Sequence, residues 1–148
     1  MTFRGDQVTD CTIDMVKGAS FLDMAIAFGL FRSGGTTVEG SAEDIGRYFR
    51  MSVAPGDLQA SFTRLLEREQ IALHPRKARH YVMTKPGQEA FQCVFYGLMR
   101  LVDGGQNRFS LAALWQLATA NLDAVVDPAT RDFVVTPETL FGSKGAVA

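Results

Sequence analysis

The chain has no apolar run long enough to cross a membrane. Its longest such run, Ala25 to Phe31, is far shorter than the roughly 20 residues that a membrane-spanning helix requires. The N-terminal sequence MTFRGDQVTD carries acids where a signal peptide has a basic start and an apolar run. We therefore expect a cytoplasmic protein with no membrane partner.

Cysteine and histidine are scarce, with two residues of each. Cys11 and Cys93 lie far apart and outside any Cys-x-x-Cys pattern. Each is interpreted as a buried thiol that behaves as a small hydrophobe, with a redox switch as the alternative. His74 and His80 leave little material for a zinc site or a histidine-based nucleophile, and no phosphate-binding glycine loop stands out. We expect no metal, no cofactor and no catalytic residues, hence no enzyme.

What is present is the composition of an ordinary globular protein. Hydrophobic residues make up 47% of the chain and charged residues 21%, which is typical of a folded domain. A length of 148 residues is enough to bury one core. We therefore expect a single domain that spans residues 1–148.

The first half of the chain has the periodicity of helices. Residues 12–32 predict a helix, interrupted near Gly18, whose second half is apolar on most sides. Residues 36–39 are a candidate short strand. Ser41, with an acid three residues later, predicts the start of a second helix. Pro55 suits the first turn of a third helix, since its missing N–H is not needed there.

The pattern then changes to that of a hairpin. Residues 71–74 and 80–83 predict two short strands, and residues 75–79 (PRKAR) predict the tip between them. Thr84 is a candidate cap for a fourth helix, which two glycines end at 104–105. A last helix is predicted from about Ser110 to Val126, followed by a tail with a short apolar FVV segment.

Positive charge is concentrated in one segment. Residues 47–85 contain eight basic and three acidic residues, which gives this segment a net charge of +5. The whole chain has a net charge of −1, so the rest of the chain carries −6. A local field of this kind decides which partners a surface attracts more than the total charge does. The segment is a candidate anion-binding surface, and a solvated basic face is the alternative.

Two motifs in this segment resemble a known family. In LQASFTRLLEREQI (58–71), the spacing of Leu58, Phe62, Leu65 and Ile71 is similar to a recognition helix that runs into a first wing strand. The sequence YVMTKPG (81–87) resembles the exit from the wing, Y-x-L-T-x-x-G. The family is the winged helix-turn-helix regulators of bacterial transcription, especially those of the MarR and PadR types.

The resemblance implies a fold that is mainly α with a small β-hairpin wing (α+β). It is a winged helix-turn-helix with additional N- and C-terminal helices. The winged-helix core would span about 21–103, and the C-terminal helix and tail 104–148. The implied function is a DNA-binding transcriptional regulator.

The resemblance also implies which residues contact DNA. The helix that starts near Leu58 would lie in the major groove and present Gln59, Ala60 and Thr63 to base edges. Arginines would hold phosphates, and the wing would follow the neighbouring backbone. The predicted DNA-binding residues are Arg47, Arg50, Gln59, Ala60, Thr63, Arg64, Arg76, Lys77 and Arg79.

A single copy of the chain makes few phosphate contacts and is therefore predicted to bind DNA weakly. A two-fold dimer on a pseudo-palindromic operator would double the number of contacts. The later helices carry more apolar surface than a small wing domain needs for its own core, although an intramolecular core is the alternative. The predicted dimerisation residues are Phe91, Phe95, Leu98, Leu111, Leu114, Trp115 and Leu122.

A second function also fits the sequence. The turn from Met51 to Asp57 is longer than is usual in the family, and the recognition helix carries acids that repel phosphate. These features, with the acidic remainder of the chain, favour a winged-helix module that binds a protein partner. Such a module would act as an anti-activator, adaptor or inhibitor and would not bind DNA.

Overall fold

The computed structural model describes residues 11–119, 125–131 and 133–135. Residues 1–10 and 136–148, together with Leu122, lie outside these described residues. The described elements, in chain order, are α1 (Ile13–Val16), α2 (Phe21–Ser33), α3 (Val38–Phe49), α4 (Pro55–Glu67), β1 (Ile71–Leu73), β2 (Tyr81–Thr84), α5 (Lys85–Asp103), α6 (Leu111–Ala118), β3 (Val125–Val126) and β4 (Phe133–Val135). This part of the chain is mainly helical with a small mixed sheet, which confirms the expected α+β class.

Helix α2 forms the centre of the helical layer. Ser20 caps its start: the Ser20 hydroxyl accepts from the Asp23 amide at 3.0 Å, and the Asp23 carboxylate accepts from the Ser20 amide at 3.2 Å. Gly34 ends it in a left-handed conformation, with φ 73°. The helix is buried on most sides, as its apolar sequence predicted, and α3, α4, α5 and α6 all contact it.

Helix α3 begins earlier than the sequence predicted. Thr37, and not Ser41, is its N-cap, because the Thr37 hydroxyl accepts from the Gly40 amide at 3.0 Å. Ser41 lies buried inside the helix. The strand expected at 36–39 is reduced to a single bridging residue, Thr36, which exchanges two backbone hydrogen bonds with Tyr81 (3.0 and 2.7 Å).

The hairpin forms close to the predicted positions. β1 and β2 pair antiparallel, with Ile71 opposite Met83 and Leu73 opposite Tyr81. Helix α4, which starts at Pro55 as predicted, packs Phe62 against the Tyr81 ring, with 5.3 Å between ring centroids. The hairpin is therefore held against the helix that precedes it.

The C-terminal part departs from the prediction. Helix α6 ends at Ala118, and Val125–Val126 form strand β3 instead of the last turn of a long helix. β3 runs parallel to β2, on the same edge that Thr36 bridges, and β4 pairs with β3. Both valines of β3 are buried, because branched apolar side chains pack well on a sheet.

Residues of the sequence YVMTKPG (81–87) join the hairpin to α5. The Thr84 hydroxyl donates to the Glu69 carbonyl (2.5 Å) and accepts from the Gly87 amide (3.0 Å), which caps α5. Gly87 lies so close to the Gln70 carbonyl that a Cβ would overlap it. This motif therefore has a structural role in closing the hairpin onto α5.

The prediction of two separate buried thiols is wrong. Cys11 and Cys93 form a disulfide that joins the segment before α1 to α5. Cys93 is buried, whereas Cys11 is exposed and lies next to a helix of a single turn. The pairing joins residues 82 positions apart, so no local pattern in the sequence encodes it.

None of the described helices combines the length and the apolarity that crossing a membrane requires.

Candidate nucleic-acid interface

Helix α4 presents a polar face to solvent. Leu58, Phe62 and Leu65 are buried, as their spacing predicted. Because the opposite face of a helix is then outward, the three predicted base-contacting residues, Gln59, Ala60 and Thr63, are exposed. A helix with one side anchored and the other side polar can meet a partner surface without rearranging its own core.

The hairpin tip, residues 75–79, carries three exposed basic side chains: Arg76, Lys77 and Arg79. Neither Lys77 nor Arg79 forms a salt bridge with any acid in the described part of the chain. Like charges in one short loop repel each other, and an anionic partner relieves that repulsion. The tip therefore carries three exposed positive charges within five residues.

His74 organises this tip, a role that the sequence did not indicate. Its Nδ1 accepts from the backbone amides of Arg76 (2.9 Å) and Lys77 (3.1 Å). Because Nδ1 accepts these hydrogen bonds, it carries no proton. The neutral imidazole therefore has its proton on Nε2. Burial lowers the pKa of His74 from 6.5, and the positive charges of Lys77, His80 and Arg76 lower it further.

Two more predicted DNA-binding residues lie at the end of α3. Arg50 is its C-cap, in a left-handed conformation (φ 56°), and its side chain is exposed. Arg47 is exposed as well, but its Nη1 lies 3.4 Å from Asp44 Oδ1. The exposed Tyr48 ring lies beneath the Arg47 guanidinium, 5.6 Å from its central carbon.

Arg64 is not available to hold a phosphate, contrary to the prediction. Its Nη2 lies 2.6 Å from Asp23 Oδ1 and its Nε 3.3 Å from Oδ2, a two-pronged ion pair with a fully buried carboxylate. Nη2 also donates to the Ser61 hydroxyl at 2.9 Å. Burial raises the pKa of Asp23, but the bonds from Arg64, the Ser20 amide and Ser61 outweigh burial and hold the pKa below 3.8.

Asp23 is therefore a structural residue that the sequence analysis missed. The sequence did contain an indication of this role, because Asp23 is the only charged residue in the apolar stretch 19–31. A lone acid in a buried helix requires a cationic partner from elsewhere in the fold. Its partner lies 41 residues away on α4, which spacing along α2 does not reveal.

Two further basic residues of the segment 47–85, Arg68 and Lys85, lie outside the hairpin tip and the end of α3. Lys85 lies 3.8 Å from Glu89 within α5. The Arg68 guanidinium lies beside Gly18, where a Cβ would approach Nη2 to 2.9 Å. Asp57 and Glu67 are exposed on α4. Arg68 and Lys85 are exposed as well, so the outward-facing cations of this segment are not confined to the tip and the end of α3.

The predicted dimerisation residues divide into two groups. Phe91 and Trp115 are buried in the core of the protomer, so the prediction is wrong for both. Trp115 lies within a cluster of aromatic rings, 5.3 Å from Phe31 and 5.6 Å from Phe95 between centroids. Phe95, Leu111 and Leu114 are partly buried, and Leu98 is exposed.

The apolar surface that is exposed lies further along these elements. Leu101 and Leu117 are 78% and 72% exposed, and Val102 and Phe109 are also exposed. Leu101 and Val102 lie three and four positions after Leu98, which places both on the same side of α5 as Leu98. We call these five side chains, Leu98, Leu101, Val102, Phe109 and Leu117, the α5–α6 apolar face.

Neither family models, nor curated proteins, nor solved structures give a match to this chain.

Proposed function

We propose that this protein is a winged helix-turn-helix transcriptional regulator that binds double-stranded DNA. In this proposal α2, α3 and α4 are the helical core, α4 is the recognition helix, and the β1–β2 hairpin is the wing. The element order, the Thr36–Tyr81 bridge beside the hairpin and the wing-exit motif support the assignment. MarR- and PadR-type regulators are the family that the sequence resembles.

The observation that carries the proposal is the exposed cationic tip beside a helix with a polar outer face. Phosphates supply most of the affinity of a DNA-binding protein, and side chains on a groove-inserted helix supply the specificity. Arg76, Lys77 and Arg79 are placed to hold phosphates or enter the minor groove. Gln59 and Thr63 suit adenine and the thymine methyl group.

Arg64 has no part in the revised interface, and Arg47 and Arg50 extend it along the end of α3. With five cations, one protomer would hold DNA weakly at physiological salt. We therefore propose a homodimer on a pseudo-palindromic operator. The α5–α6 apolar face is the proposed contact surface, because five of the large apolar side chains that the protomer leaves exposed lie on these two helices and the segment between them.

Fluorescence anisotropy with a generic duplex tests the proposal. We expect binding at about 50 mM salt and a steep loss of affinity as salt rises. Replacing Arg76, Lys77 and Arg79 together by Ala should reduce the slope of log K against log salt by about three for each bound protomer, one for each phosphate contact, and thus by about six for the proposed dimer. These side chains are exposed, so circular dichroism should show an unchanged fold.

The matched control removes three cations elsewhere. Lys17, Lys85 and Arg100 are also exposed, and their replacement by Ala changes the net charge by the same amount. The control should keep most of the salt slope, because the tip is intact. An equal loss of salt slope in both triple variants would show that binding depends only on total charge. If neither generic nor promoter-derived duplex binds at about 50 mM salt, the proposal is overturned.

One observation favours the second function, a module that binds a protein partner. The exposed face of α4 carries Asp57 and Glu67, which repel phosphate. The exposed side chains of Tyr48 and Met51 lie just before this helix and add apolar area. Aromatic residues and methionine are enriched at protein interfaces. Failure of all duplexes to bind would make this the better proposal.

A further inference from the structure

A cavity of about 370 Å³ lies between α2, α3 and α5. Its volume falls within the range of small-molecule sites, and its walls are mostly apolar. The aromatic part of the wall is formed by Phe28 of α2, Phe49 of α3 and Phe95 of α5. Met24 and Leu98 extend the apolar wall.

One carboxylate interrupts this apolar wall. Asp44 of α3 lines the cavity, and its side chain is only 16% exposed. It reaches the α2 side of the cavity at Gly29, where a Cβ would lie 3.7 Å from Asp44 Oδ2. Asp44 Oδ2 therefore lies at van der Waals distance from the position that a Cβ would occupy at Gly29, on the α2 wall.

The charge of Asp44 is weakly compensated. In the described part of the chain its only salt-bridge partner is Arg47, at 3.4 Å, and the Arg47 side chain is largely exposed. Burial raises the pKa of Asp44, Arg47 lowers it, and neighbouring Glu43 raises it. By comparison, Asp23 has several hydrogen bonds and a lowered pKa. A cation inside the cavity would supply the compensating positive charge that Asp44 lacks.

A second charged group lies at the rim. Arg32 lines the cavity, but it is exposed, and its guanidinium carbon lies 4.9 Å from the centroid of the Tyr48 ring. Arg32 is therefore stacked on Tyr48. The sheltered charge of the site is the carboxylate, which selects a cation over an anion.

We propose that this cavity binds a small aryl or alkyl ammonium compound, with the ammonium group on Asp44 and the apolar part among Phe28, Phe49 and Phe95. Aromatic faces also attract a cation directly. Because α3 forms one wall, occupancy would bias the position of α3 and of Arg47 and Arg50 at its end. The binding of the compound itself does not depend on the proposed DNA-binding function.

Three probes of matched shape test the choice of charge: 4-phenylbutylamine, 4-phenylbutanol and 4-phenylbutyrate. Trp115 is the single tryptophan of the chain, and its ring lies 5.9 Å from Phe28 and 5.6 Å from Phe95. Its fluorescence therefore reports on the cavity. We expect the amine to bind at least about tenfold more tightly than the alcohol or the acid, the worth of one charged hydrogen bond.

Asp44→Asn keeps the shape and removes the charge, and it should bring the affinity for the amine down to that for the alcohol. Glu43→Gln is the control, because Glu43 is exposed, lies one position earlier and does not line the cavity. Its replacement removes the same charge, and the preference for the amine should persist.

Methyl NMR with ¹³C-labelled methionine locates the probe in the unmodified protein, so the test does not depend on the variants folding. The Met24 signal should move with the amine, whereas Met83, buried in the sheet, should not. Tighter binding of the acid, equal binding of all three probes, an unchanged preference in Asp44→Asn, or an unmoved Met24 signal would each overturn the proposal. All of these outcomes leave the DNA experiment unaffected.

Discussion

Arg64 Nη2 lies 2.6 Å from Asp23 Oδ1 and joins α4 to α2 across a buried carboxylate. The pair holds α4 in the same orientation as its buried residues Leu58, Phe62 and Leu65. Gln59 and Thr63 lie on the outward side. The arginine that the sequence assigned to phosphate thus helps to hold in place the helix that carries the side chains proposed to read DNA.

Removal of this arginine should destabilise the fold. Arg64→Met keeps the aliphatic stem but leaves Asp23 buried without its cation. We expect the free energy of unfolding to fall by about 2–4 kcal/mol, less than for a fully buried pair, because Arg64 is 37% exposed. Urea unfolding at pH 7 measures this, and Arg68→Met on the exposed end of the same helix is the control, expected within about 0.5 kcal/mol.

The same pair predicts the pH dependence. The pKa of Asp23 is lowered in the folded state, so the folded protein binds fewer protons than the unfolded one. The stabilisation is complete above the unfolded pKa of 3.8 and is lost as pH falls through the folded value. The stability difference between wild type and Arg64→Met should shrink in that acid range, and a constant difference would contradict this.

The order of the hairpin tip should depend on pH through His74. Because the pKa of His74 is lowered in the folded state, its neutral form is favoured by folding. Its contribution is complete above pH 6.5 and is lost as pH falls through the lower folded pKa, since protonated Nδ1 cannot accept the amides of Arg76 and Lys77.

NMR of ¹⁵N-labelled protein between about pH 7.5 and about pH 4.5, from about one unit above to about two units below the ordinary pKa of 6.5, measures this directly. The Arg76 and Lys77 amides should shift with a common midpoint below 6.5. The Ala72 amide, within β1 and away from the imidazole, is the internal control. A midpoint at or above 6.5 would show that the imidazole does not accept these amides.

Reduction of the disulfide should release the N-terminal segment. The bond joins residues 82 positions apart; disulfides typically stabilise a fold by about 2–4 kcal/mol, and the entropy of closing a loop of this length corresponds to about 4–5 kcal/mol. Ile13 of α1 is exposed, and α1 packs against α5. We therefore expect Cys11→Ser and dithiothreitol to lower stability by similar amounts, and to expose α1 to proteolysis first.

Two controls test whether these effects come from the disulfide. Dithiothreitol should have no further effect on Cys11→Ser, and mass spectrometry after alkylation should find no reactive thiol in the oxidised wild type. A stability of Cys11→Ser equal to that of the oxidised wild type would show that the bond does not hold the fold.

The proposed dimer should depend on the α5–α6 apolar face. Leu101→Glu combined with Leu117→Glu places two charges on side chains that are 78% and 72% exposed. We expect a dimer in sedimentation equilibrium of the wild type and a monomer of unchanged helicity in this variant. Ile13→Glu, on an equally exposed apolar residue of α1, should remain dimeric. A wild type that stays monomeric would contradict the proposal.

Local patterns predicted the elements that local interactions create. The spacing of Leu58, Phe62 and Leu65 gave the buried side of α4, and Pro55 marked its start. Thr84 and Gly104 marked the two ends of α5. Caps and amphipathic periodicity act within one or two turns, so the sequence alone contains the information. The hairpin followed from the change to alternating residues and the basic loop.

The tertiary structure alone decided which residues pair across the fold. Arg64 with Asp23, Cys11 with Cys93 and Val125 with Met83 are each joined over more than 40 positions. Trp115 fills the core because α2 and α5 surround it. Such contacts are fixed by how helices and strands pack, and packing satisfies buried charges and apolar area over the whole chain at once. The sequence therefore located most of the elements, whereas packing decided the strand at Val125–Val126 and which side chains remain exposed for a partner.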